Sequence, residues 1–330
     1  MPERDGGPRE GGWVREVFEL KNPLGLAVRG HVLTPRGAPA EPPTVFLLHG
    51  YKGFKDWGFF PFLGASLASA GFRAVGFNFS GSGIGSDGAT FSEVDLFERN
   101  TYSQELEDVS TVVRAFARPD ESFPFAPSGP TALFGHSRGG GMALLSAARV
   151  PHLETLVSWS SISSTDRWDE AAKASWRSQG GMDVVNSRTG QRFRLRTDLL
   201  DDVERNAGRL DIESAARGLT IPFLIVHGEK DESVGAEEGR RLFGWKTAHT
   251  GRESDPAAVP AGLSQLPVPP EASLRWGPEG SLLVLLPWAG HTFDAVHPLP
   301  DPPPERLAAV VRTTAAWLRW HLLASKGPLS

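Results

Sequence analysis

The stretch Thr131-Ala132-Leu133-Phe134-Gly135-His136-Ser137-Arg138-Gly139 constrains this chain more than any other. An apolar run with strand character ends on Gly-x-Ser-x-Gly and passes directly into the helical pattern of residues 142–150. A serine placed between a buried strand and a helix is the context of a nucleophile elbow, a sharp turn that presents the hydroxyl above the sheet's carboxyl edge. Gly135 and Gly139 suit that turn because side chains there would collide with the neighbouring strand and helix. The competing reading is a chance match in a chain with 37 glycines. The flanking strand and helix argue against it.

The rest of the chain alternates as such a turn requires. Residues 13–20 and 26–35 alternate apolar and polar side chains around Asn22-Pro23, which predicts an opening antiparallel hairpin. Strands are expected at 45–48, 72–79, 131–136, 153–159, 222–227 and 282–286. Helices are expected at 59–70 (closed by Gly71), 102–117, 142–150, 236–243 and 305–323. Together these predict a mostly parallel eight-stranded sheet with helices on both faces. The alternation breaks over 160–219, a polar segment holding Trp168 and Trp176 and a possible small hairpin, read here as a cap above the sheet edge. The domain plan is therefore a disordered tail over 1–12, a core over 13–159 and 220–323, the cap over 160–219, and a Pro/Gly-rich loop excursion over 246–280.

A serine hydroxyl is a poor nucleophile until an imidazole takes its proton, and the imidazole needs a carboxylate to fix its tautomer. After a Gly-x-Ser-x-Gly elbow the acid and then the base are expected in chain order, each on a loop beyond a strand. Residues 222–226 lead into His227-Gly228-Glu229-Lys230-Asp231-Glu232, which makes Asp231 the candidate acid and Glu229 and Glu232 its rivals. Residues 282–286 lead into Pro287-Trp288-Ala289-Gly290-His291, which makes His291 the candidate base and the more distant His297 its rival. Two backbone N–H groups should face the developing oxyanion. Arg138, next to the serine, supplies one, and Tyr51 in His49-Gly50-Tyr51, after the third strand, supplies the other. The His49 side chain reads as structural. Trp57, Trp159 and Trp168 fall on segments expected to rim the cleft and are candidates for an aromatic acyl pocket.

Other chemistries find little support. The Gly81/Gly83/Gly85 loop lacks the Gly-x-Gly-x-x-Gly spacing and the Lys-Ser/Thr of a phosphate loop. Metal-ligand spacing is absent, and with no cysteine there are no disulfides or thiolate ligands, so no cofactor is expected. A net charge of −5 without a basic cluster disfavours nucleic acid. Residues 1–12 lack the apolar core of a signal peptide and no run is long enough to span a bilayer, so a cytoplasmic location is expected. The expected partner is a small-molecule ester, with the protein a monomer or homodimer.

The set His49-Gly50-Tyr51, Gly135-His136-Ser137-Arg138-Gly139, Gly228-x-x-Asp231 and Gly290-His291-Thr292-Phe293 resembles the α/β-hydrolase superfamily, over about residues 13–323. Within it the chain is most similar to the dienelactone hydrolase-like and cinnamoyl (feruloyl) esterase-like branch, which also resembles serine aminopeptidase-type lipases. That resemblance implies the α/β-hydrolase fold, a small lid after the sixth strand and a serine carboxylesterase needing no cofactor. An acyl-CoA thioesterase, favoured by a basic rim at Lys52, Lys55 and Arg138, and an aminopeptidase-type peptidase are the alternatives. A non-catalytic binding module is a more remote one. Dienelactone hydrolases use cysteine, which this chain lacks. The 246–280 excursion is also longer than the branch usually carries.

Overall fold

Strands β1 (Trp13–Lys21) and β2 (Ala27–Pro35) pair antiparallel at one edge of the sheet. Their turn is set by Asn22, whose Oδ1 accepts from the N–H groups of Leu24 and Leu26 while its Nδ2 donates to buried Asp108. The computed structural model describes residues 12–186, 190–248, 263, 265–277 and 280–323. Residues 1–11 of the expected tail (1–12), residues 187–189 of the expected hairpin, and residues 249–262, 264, 278 and 279 of the expected loop excursion lie outside the described residues.

The chain continues through β3 (Thr44–Leu48), α1 (Phe60–Ser69), β4 (Arg73–Asn78), the short α2 (Val94–Glu98) and α3 (Tyr102–Ala117). Then come β5 (Thr131–His136), α4 (Arg138–Ser146) and β6 (Leu153–Trp159). The segment that interrupts the alternation holds α5 (Glu170–Gln179), the antiparallel hairpin β7 (Met182–Val185) and β8 (Arg192–Leu195), α6 (Asp198–Arg205) and α7 (Ile212–Gly218). The chain ends with β9 (Phe223–Gly228), α8 (Ala236–Thr247), β10 (Ser273–Trp276), β11 (Leu282–Leu286) and α9 (Glu305–Leu322).

The main sheet runs in the order β1-β2-β4-β3-β5-β6-β9-β11-β10. The six strands β4, β3, β5, β6, β9 and β11 are parallel, with β2 and β10 antiparallel at their flanks. The sheet therefore has nine strands, where eight were expected. The additional strand, β10, lies inside the stretch read as a loop. It has a single partner and three of its four residues are exposed, so it carries no buried alternation to reveal it. Every residue of β3, β4, β5, β9 and β11 is buried, the near-continuous burial of parallel strands covered on both faces. Helices α1 and α9 pack together, whereas α3, α4, α7 and α8 pack in series. No described helix is long and apolar enough to cross a membrane.

The hairpin β7/β8 docks through Phe193, whose ring packs against Phe91 and Phe97, and through Trp176, whose indole N–H donates to the Leu195 carbonyl. Helix α7 instead packs against α4 and α8. Parallel pairing brings the carboxyl ends of β3, β5, β9 and β11 to one edge. Open α/β sheets bind their ligands at that edge.

Candidate active site

Strand β5 delivers Ser137 into α4 through a turn in which Ser137 has φ 57° and ψ −122°, a strained conformation for a residue with a side chain. The turn closes only with glycine on either side. A Cβ on Gly135 would stand 2.2 Å from the Gly139 carbonyl oxygen, and one on Gly139 would stand 2.3 Å from that of Leu48. Arg138 is the first residue of α4, and its N–H is among the donors that a helix start leaves without an internal partner.

His291, on the loop beyond β11, donates from Nδ1 to Asp231 Oδ2 at 2.8 Å. Asp231 lies on the loop beyond β9, where its Oδ1 accepts the N–H groups of Ser233 and Val234, both at 2.9 Å. Burial alone would raise the Asp231 carboxyl. The hydrogen bond and charge of His291, with the Val234 N–H, outweigh it and hold the group below the usual carboxylate range. Glu229 is turned outward to Arg240, and Glu232 is exposed. His297 accepts the Gly58 N–H and packs edge-on to Phe54.

Sequence reasoning gave His136 no role. Its Nε2 donates to the His291 backbone carbonyl at 2.9 Å, tying the histidine loop to the serine turn. Its place beside Ser137 in the motif was the only available signal.

His49 bridges backbone groups with both ring nitrogens. Nδ1 donates to the Gly50 carbonyl at 2.9 Å, and Nε2 accepts from Phe79 N–H at 3.2 Å. Because the Gly50–Tyr51 peptide is planar and trans, holding that carbonyl turns the Tyr51 N–H the opposite way. Burial lowers the His49 pKa to about 4. Neutral His49 therefore adds stability that is fully present above its unfolded value near 6.5 and is lost as pH falls towards about 4. His49→Gln should cost about 1–3 kcal/mol at neutral pH, with the gap to the wild type narrowing as pH falls through that window. Urea unfolding across the range reads this directly, and a gap that stays constant refutes it.

Ser137, Tyr51, Arg138 and His291 line one cavity of about 460 Å³. Trp168 lines it as well, with Ile162, Met182, Val184, Leu195 and Val234. The other two tryptophans do not. Trp159 is fully buried in the core against Phe59, Phe134 and Phe293, its indole N–H donating to Thr314. Trp57 is buried against Phe59 and His297. Both are large apolar side chains close to the sheet edge, and packing took them inward. Arg138 reaches under the cavity, stacked between the rings of Tyr51 and Tyr102 and hydrogen bonded to buried Glu105 at 3.1 Å. Burial raises the Tyr51 phenol to about 12. Lys55 is held by Asp56 and lines a separate cavity of about 590 Å³ beside β1 and β2, so it is no part of a basic rim here.

A model of the protein family described as "Putative esterase" matches residues 24–199, just over half of the chain. The chain belongs to this esterase family. No curated protein sequence matches the esterase. Among solved structures it is similar to Est1E from Butyrivibrio proteoclasticus with ferulic acid bound, at 17% identity and TM-score 0.60, over 93% of this chain and 100% of that one. It is also similar to mouse alpha/beta hydrolase domain-containing protein 10, at 16% identity and TM-score 0.59, over 92% and 98% of the two chains. A third likeness is to the monoacylglycerol lipase of Paleococcus ferrophilus, at 16% identity and TM-score 0.57, over 94% and 99%. Likeness at these identities concerns the fold, and the fold of this esterase is that of the α/β hydrolases.

Proposed function

We propose that this hydrolase is a serine carboxylesterase acting on small to medium acyl esters, feruloyl-type aromatic esters among them. Ser137 Oγ attacks the ester carbonyl while His291 Nε2 takes its proton, and Asp231 holds the imidazole in the required tautomer and steadies its charge. The N–H groups of Tyr51 and Arg138 receive the tetrahedral oxyanion. His291 then passes the proton to the departing alcohol oxygen as the carbon–oxygen bond breaks, leaving an acyl-serine. Water, deprotonated by the same imidazole, attacks that acyl group, and the proton passes to Ser137 Oγ as its bond to the acyl carbon breaks and the acid is released. The observation carrying this reading is the strained Ser137 at the β5–α4 turn, sharing a cavity with a histidine that Asp231 anchors. Its volume falls in the range of small-molecule sites, roughly 300–1,000 Å³. Trp168 in the wall, and ferulic acid in the Est1E structure, favour aromatic acyl groups.

The test is kcat/KM for p-nitrophenyl acetate, butyrate and octanoate beside methyl ferulate, with Ser137→Ala as the blank. Hydrolysis well above the blank is expected, with methyl ferulate among the better substrates. No turnover above the blank for any ester overturns the reading.

A further inference from the structure

Three cations, Lys52, Arg138 and Arg167, line the cavity beside Ser137, and among the described residues no aspartate or glutamate lines it. This contrasts with the protein as a whole, whose net charge is −5. The carboxylates that hold two of these cations are not part of the lining. Glu105, 3% exposed, bonds Arg138 Nη1, and Glu238 on α8 takes Arg167 Nη1 with both oxygens, at 2.9 and 2.8 Å. In both pairs the arginine, and not its carboxylate partner, lines the cavity. Lys52 Nζ donates to the Val185 carbonyl at 3.2 Å. Ile162, Met182, Val184 and Leu195 give the wall an apolar part, beside Ser137, Ser233 and His291. A cavity with low-dielectric walls and charge of one sign concentrates ligands of the other sign.

We propose that the substrate is an ester with an apolar body and a negatively charged group, the anion being held by the cations of this wall. The proposal rests on the esterase reading of the same site and narrows its substrate class. The anion could belong to the acyl part, as in a half-ester of a dicarboxylic acid, or to the leaving group, as in the phosphates of an acyl-CoA. Arg138 has both faces covered by tyrosine rings. Lys52 and Arg167 are therefore the residues whose charge a substrate should feel most.

The experiment compares two matched pairs on the full-length protein. One pair is p-nitrophenyl butyrate against the p-nitrophenyl half-ester of glutaric acid. The other is the butyryl thioester of N-acetylcysteamine against butyryl-CoA. In one pair kcat/KM should favour the anionic member by at least about tenfold, falling severalfold in high salt. Arg167→Met and Lys52→Met should each pull that ratio towards one. The pair that responds identifies which side of the scissile bond carries the charge. A ratio at or below one in both pairs, or a ratio unmoved by both substitutions, overturns the proposal while leaving the esterase reading intact. Absence of turnover above Ser137→Ala in all four compounds would instead remove the esterase reading. In that event, calorimetric titration of Ser137→Ala with monomethyl glutarate and with methyl butyrate still decides the anion preference, and equal binding of the two overturns it.

Discussion

Ser137→Ala should lower kcat on p-nitrophenyl esters by about 10⁶-fold, by comparison with the loss of the serine in a protease triad. The substitution removes the attacking oxygen and changes nothing else of the apparatus described above. Alanine keeps the Cβ at φ 57°, so the strain of the turn persists and stability should stay within about 0.5 kcal/mol of the wild type. The Tyr51 and Arg138 N–H groups and the His291–Asp231 pair remain, which should leave a residual rate about 10³–10⁴-fold above water alone. Ser137→Gly should be as inactive and yet more stable, since glycine adopts a positive φ without steric cost. Turnover within about tenfold of the wild type in either variant would remove Ser137 from the mechanism.

Asp231→Asn should lower kcat by about 10⁴-fold, the loss that the same change causes in a serine protease triad. The hydrogen bonds around Asp231 say why. Oδ1 accepts two backbone N–H groups, from Ser233 and Val234, so an asparagine must keep its carbonyl oxygen there. Its NH₂ then takes the place of Oδ2 and faces His291 Nδ1. A donor in that position selects the tautomer protonated on Nε2, which cannot accept the serine proton. Glu229→Gln and Glu232→Gln, at outward-facing carboxylates, should change kcat by less than about twofold. A loss under tenfold for Asp231→Asn, or a large loss at either glutamate, would reassign the acid.

Features written in contiguous residues were the ones legible in the sequence. The strand, the serine turn and its helix announce themselves within residues 131–150, and the strained φ of Ser137 is the conformation such a motif implies. The loop beyond β9 offered three carboxylates that no local pattern separates. The fold separates them, by burying Asp231 within 2.8 Å of His291, 60 residues away, and turning Glu229 and Glu232 outward. The tryptophans failed as pocket markers because an apolar ring is equally at home in a core and in a cavity wall. Trp159 and Trp57 took the first place and Trp168 the second. Strand β10 was missed because a four-residue edge strand with exposed side chains has no period to read. Arg167 escaped notice because its meaning depends on Glu238, which comes from a helix 71 residues further along the chain.

The segment between β6 and β9 is divided in its packing. Helix α7 packs with α4 and α8, so it supplies the crossover that two adjacent parallel strands require. The stretch from Ser163 to Leu210 lies outside that crossover and is tied to the core through Phe193 on Phe91 and Phe97 and through Arg167 on Glu238. It enters and leaves the core at two nearby points, since the Thr165 hydroxyl donates to the Leu210 carbonyl at 3.0 Å. The four loops that bear Tyr51, Ser137, Asp231 and His291 all spring from outside that boundary. A foreign insert grafted between these two points would leave those four loops in place and replace Arg167, Trp168, Met182, Val184 and Leu195 of the cavity wall, which makes this junction the natural seam for recombining the protein with other members of its fold.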